Sequence, residues 1–172
     1  MDIKFTFNRN RTTEAILYIA QNIPVATFLS INKLLYFADK TSLERYARSI
    51  TGDTYFAMQN GPVPSNTYDL MKESPPAGEF GFRIENDHHL IPLRPANLDE
   101  LSESDVECLD MIIELYGNVP VWKLIEDSHD EAWKEAWEHR ENLSHPIQFE
   151  DILRLLDDGD ALIAHLQSQN TD

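Results

Sequence analysis

The sequence is poor in cysteine: its 172 residues hold one, Cys108. A lone thiol forms no internal disulfide and no cysteine-based zinc cluster, which excludes both of those scaffold classes. Long apolar runs are also missing. No stretch approaches 18 apolar residues, which excludes a membrane-spanning helix. Residues 1–11 lack the apolar centre of a secretory signal. These absences predict a cytoplasmic protein.

Basic residues are scarce in one half only. Residues 1–98 carry ten Lys or Arg and ten Asp or Glu. Residues 99–172 carry Lys123, Lys134, Arg140 and Arg154 against twenty acids, so the net charge of −16 arises wholly after about residue 99. This balance argues against direct nucleic-acid binding, because phosphate contacts need cations. The basic residues of the first part (Arg9, Arg11, Lys33, Lys40, Arg45 and Arg48) are offset by nearby acids, and no recognition helix stands out. The acidic half fits either a solubilising surface or a docking surface for a basic protein.

Catalytic signatures are absent as well. The chain has no G-x-G-x-x-G, phosphate loop, H-E-x-x-H or G-x-S-x-G. His88-His89 falls in an expected hairpin, a poor arrangement for one shared metal. Cys108 lies beside an apolar helical stripe and reads as a buried thiol. No catalytic, cofactor-binding or metal-ligating residue is therefore assigned, and the expectation is a protein that is not an enzyme. A hydrolase built on His129 with Asp130 or Glu131 is the catalytic alternative, and no nucleophile accompanies it.

What is present is an ordinary globular mixture, 42% apolar and 26% charged. Helical spacing opens at Thr13 and stops before Pro24. A second helix fits Ser30 as N-cap, then Ile31, Leu34, Leu35 and Ala38, and runs to about Tyr46. Residues 53–58 read as a strand ending at the turn Asn60-Gly61-Pro62, and Ser65 as the cap of a short helix through Met71. Phe80, Phe82 and Ile84 alternate as a half-buried strand does, with Asn86-Asp87 as the turn into a return strand. Ser102 and Asp105 resemble a capping box for a helix that Gly117 closes. Helices around 121–126 and 131–140 follow, then an interrupted amphipathic segment over 149–166. The expected fold is α+β: one domain over residues 1–172, predominantly α-helical, with a small antiparallel sheet or hairpin and an acidic helical part from about residue 99.

Two stretches concentrate aromatic and rigid groups. The first holds Tyr36 and Asp39, then Tyr55, then Gly61, Pro62, Val63 and Pro64, then Tyr68. Its prolines either shape a turn beneath tyrosines that cover the core with hydroxyls outward, or make a rigid loop preorganised for a partner. The second runs Ser128-His129-Asp130-Glu131-Ala132-Trp133. There Trp133 and Trp137 share a helix face, while Glu131, Glu135 and Glu138 cluster on another.

At these residues the sequence resembles the Panacea domain, or SocA-like antitoxin, family. The resemblance is carried by Lys33-Leu34-Leu35-Tyr36-Phe37-Ala38-Asp39, Ile50-Thr51-Gly52-Asp53, Gly61-Pro62-Val63-Pro64 with Tyr68, Tyr116-Gly117, and Ser128-His129-Asp130-Glu131-Ala132-Trp133. It spans roughly residues 31–137. Ser128 stands where a threonine is expected, and Glu131-Ala132 replaces a more proline-prone step. The resemblance implies an antitoxin of a bacterial or prophage toxin–antitoxin system that neutralises a toxin encoded beside it by direct contact. Its alternative is a proteolytic adaptor delivering a client to an AAA+ protease, with the polar segment Ser168-Gln169-Asn170-Thr171-Asp172 as a mobile tail. Partner contact is expected at Tyr36, Asp39, Tyr55, Gly61, Pro62, Val63, Pro64, Tyr68, His129, Glu131, Trp133, Glu135 and Glu138.

Overall fold

A central helix organises the molecule, and its sequence explains why. In the computed structural model, which describes residues 2–170, α1 (Arg9–Asn22) is followed by α2 (Phe28–Tyr46). Apolar side chains face several sides of α2: Phe28, Ile31, Leu34, Leu35, Phe37, Ala38 and Leu43 are all buried. A helix apolar around most of its girth is driven to the interior rather than to a surface. Thr27, not Ser30, is the N-cap. Ser30 is the third helical residue and completes the capping box by accepting from the Thr27 N–H. A serine can close that box because its short hydroxyl reaches back one turn as the usual Glu does. Likewise α1 starts four residues before the apolar pattern, because the Asn8 side chain caps it by accepting from the Arg11 N–H.

After α2 the chain forms a hairpin, β1 (Tyr55–Met58) and β2 (Gly61–Pro64), in the antiparallel register Tyr55 to Pro64 and Met58 to Gly61. The expected double-proline loop is thus a strand. Prolines lack the N–H that a central strand needs, and β2 lies at the sheet edge, where they are tolerated. A two-residue strand, β5 (His145–Pro146), pairs with the other side of β1 and was not legible in the sequence. Helix α3 (Ser65–Lys72) follows β2 directly, and its first turn is held by the Asp53 carboxylate rather than by Ser65.

A second hairpin, β3 (Phe82–Glu85) and β4 (His89–Pro92), turns through Asn86, Asp87 and His88, with Asn86 and Asp87 at positive φ and the His88 N–H donating to the Glu85 carbonyl. Then come α4 (Glu103–Tyr116), α5 (Val121–Ser128), α6 (Glu131–Glu138), α7 (Phe149–Leu153) and α8 (Gly159–Gln169). The Ser102–Asp105 capping box forms as its sequence predicts. Gly117 caps α4 with ordinary right-handed backbone rather than the left-handed turn its identity suggests. The fold is α+β, eight helices among the described residues with small antiparallel sheets, and α2 packs against α1, α3, α4, α5, α7 and β2.

Candidate protein-interaction site

Several residues singled out by the sequence are interior. Asp39 on α2 is buried, and its carboxylate accepts from the Ser49 and Thr51 hydroxyls, the Ile50 and Thr51 N–H groups, and the Tyr55 hydroxyl at 2.6 Å. Burial raises its pKa above the usual carboxylate value, while the bonds from Thr51, Tyr55 and Ile50 pull the other way. Asp53 repeats the device. It accepts from the Thr54, Asn66 and Thr67 N–H groups, the Asn66 amide and the Thr67 hydroxyl. Between them, Gly52 has φ +68, and a Cβ there would stand 1.9 Å from the Thr6 carbonyl oxygen. The Ile50-Thr51-Gly52-Asp53 segment is therefore a buried clamp joining α2, β1, α3 and the residues just before α1, where the Asn8 N–H donates to the Thr51 carbonyl.

The Ser128–Trp133 segment is a second clamp. Asp130 caps α6 by accepting from the Trp133 N–H at 2.9 Å, and also accepts from the Tyr36 hydroxyl at 2.7 Å and Lys40 Nζ at 3.0 Å. Trp133 donates its indole N–H to the Met58 carbonyl at 2.8 Å, fastening α6 to the first hairpin. His129 stacks on Trp133 at 3.9 Å between centroids. Burial, and next the Lys33 charge, hold its pKa below 6.5. Its Nε2 is buried without a partner, and the Asp130 hydrogen bonds go elsewhere.

Lys33, fully buried on α2, ties that helix to β2 by donating to the Pro62 carbonyl at 2.9 Å. Burial pushes its pKa down to about 7. Gly61 sits above it at φ +109, where a Cβ would come within 2.4 Å of Ser128 Oγ and 3.1 Å of Lys33 Nζ. The tyrosine hydroxyls thus point inward: burial and the facing carboxylates Asp130 and Asp39 raise the Tyr36 and Tyr55 pKa well above 10.

The remaining expected residues divide. Gly61, Pro62 and Pro64 are buried in β2, whereas Val63 and Tyr68 are half-buried on a common cleft. Glu131, Glu135 and Glu138 are exposed on α6, the first two paired with Lys134 and His139. The cations that gave the first part positive charge are internally engaged. Lys40, Arg45 and Arg48 pair with Asp130, Glu107 and Asp105, and Arg11 donates to the Ser49 and Ile50 carbonyls. Among the described residues no group of three or more His, Cys, Asp or Glu assembles to hold a metal ion. No helix among them is long and apolar enough to cross a membrane.

The surface the sequence reading missed is apolar. Trp122 is 63% exposed, and its neighbour Val121 is 42% exposed. Val121 lines two adjoining depressions. One, of about 330 Å³, includes Val25 and Tyr116; the other, of about 660 Å³, runs to Phe28, Met58 and Tyr68. Trp122 follows Pro120-Val121 at a helix start, where an apolar residue off the buried stripe was a usable signal.

A family model described as antitoxin SocA-like, Panacea domain, matches residues 31–134, more than half of the chain. The chain belongs to this family. Comparison with curated proteins found no match, and comparison with solved structures found none either. The Panacea match opens inside α2 and closes inside α6, so it spans the first hairpin and most of both clamps, while Thr27, Phe28 and Leu29 of the larger depression precede it. Within this Panacea domain the motif residues serve chiefly as scaffold, while the accessible groups lie between them.

Proposed function

We propose that the protein is the antitoxin of a bacterial or prophage toxin–antitoxin pair, acting in the cytoplasm by direct contact with its toxin and without turnover of its own. Family membership supports the antitoxin role in general. The observation favouring contact is the apolar surface around Val121 and Trp122, since exposed aromatic groups beside an apolar groove suit an interface core. The exposed carboxylates Glu131, Glu135 and Glu138 would flank recognition of a basic partner.

Co-expression with the product of the adjacent gene tests this reading. The expected result is restored growth and a co-purifying complex, with Trp122→Ala losing both while melting as wild type does. A chain that rescues growth from no neighbouring product refutes it. Adaptor action predicts a shortened toxin half-life, and direct blocking predicts an unchanged one. The polar tail that motivated the adaptor alternative is partly helical, since Ser168 and Gln169 belong to α8; Thr171 and Asp172 lie outside the described residues.

A further inference from the structure

The larger depression has an unusual floor. Asn32 lies on the second turn of α2, is 3% exposed, and lines the cleft, yet its side-chain oxygen has no hydrogen-bond partner. A buried amide oxygen left unsatisfied destabilises the empty fold, so its retention calls for a reason. Around it the walls are largely apolar: Phe28 and Tyr68 meet edge to face at 5.9 Å, and Met58 and Val63 come from the two strands of the first hairpin, whose turn adds the neutral amides Gln59 and Asn60. The cleft, about 660 Å³, falls within the range of ligand-sized sites.

The lining chemistry selects the occupant. An Asn amide presents one acceptor and a donor pair, the complement of a neutral group that itself donates and accepts. A purely hydrocarbon ligand would leave Asn32 unsatisfied. No Lys or Arg is among the lining groups, Lys72 being engaged over the Tyr68 ring at 5.1 Å, and the Asp87 carboxylate lines the cleft beside His88, so an anionic ligand is disfavoured. A peptide unit meets every condition: its N–H and C=O match the amide, and its side chain fills the apolar walls.

We infer that this cleft binds an extended, non-acidic segment of a protein partner, seating one apolar side chain among Phe28, Met58, Val63 and Tyr68 and one backbone amide on Asn32. The inference rests on the partner-binding reading above in taking a protein as the occupant. The smaller depression beyond Val121 would let the segment continue toward Val25.

A phage-displayed dodecapeptide library, selected on the full chain, supplies the probe, and capped synthetic versions of the enriched peptides are then titrated. Enriched sequences should carry a large apolar residue without acidic neighbours, and binding should shift the Asn32 side-chain amide in nitrogen-15 spectra. Asn32→Leu should weaken binding about tenfold, as loss of a buried hydrogen-bonding partner does. It should fold at least as stably as wild type. Val63→Arg, checked by melting, should weaken binding further. Three results overturn the inference: no enrichment, peptides that bind both variants as they bind wild type, or adenosine shifting the Asn32 amide where the peptides do not. The selection needs no toxin. Its failure leaves the co-expression result standing, and failed rescue leaves the cleft assignment standing.

Discussion

Replacing Lys33 by methionine should remove a pH dependence of stability that the wild-type chain carries above neutrality. Lys33 is fully buried and its ammonium is held to one protein acceptor, the Pro62 carbonyl. Burial lowers its pKa from an ordinary 10.5 to about 7. Between those values the unfolded chain binds the proton and the folded chain does not, so stability rises with pH across the window. The slope approaches about 1.4 kcal/mol per pH unit. From pH 7.5 to 8.5 the wild type should therefore gain about 1 kcal/mol on Lys33→Met, or roughly 2–4 °C in Tm for a chain of this size. The offset between the two curves mixes a removed desolvation cost with an orphaned Pro62 carbonyl, whereas the slope isolates the charge. Cys108, raised to about 11, has the opposite sign, because the unfolded thiol ionises first and stability then falls as pH rises. That effect begins near pH 9 and is common to both chains. Urea melts at quarter-unit pH steps give the measurement. Parallel stabilities for the two chains from pH 7.5 to 8.5 would refute a buried, titrating Lys33.

Three further outcomes follow from the clamps and the acidic face. Gly52→Ala forces a Cβ onto the Thr6 carbonyl at positive φ and should cost about 2–4 kcal/mol in denaturant melts. Asp39→Ala strands five donors and should cost about 3 kcal/mol or more, while Asp39→Asn, which keeps an acceptor oxygen, should cost clearly less. Because Glu131, Glu135 and Glu138 are exposed, a triple change to Gln should leave stability unaltered. It should slow association with the toxin in surface kinetics, and the difference should fade with added salt. An association rate indifferent to both salt and the triple change would return these carboxylates to a solubilising role.

How much of this was legible in the sequence follows the range of the forces involved. Helix spacing, the Ser102–Asp105 box and the Asn86-Asp87 turn depend on residues within four positions of one another, and the chain carries that information locally. The family motifs were also visible, but not what they do. Tyr36, Asp39 and Tyr55 read as recognition groups, yet their hydrogen bonds join carboxylates to hydroxyls and backbone N–H groups 10–94 positions away. The prolines of β2 read as a loop because its strand is specified by the partner β1 and tolerated by the edge position, neither of which is a property of Pro62 or Pro64 alone. The cleft was least legible. Its floor comes from α2, its walls from the first hairpin and α3, and its rim from the second hairpin and α5. Local periodicity determined that α2 would be a buried helix. Only the closure of distant elements over that helix decided that the Asn32 side-chain oxygen would be buried beside a cleft without a protein partner.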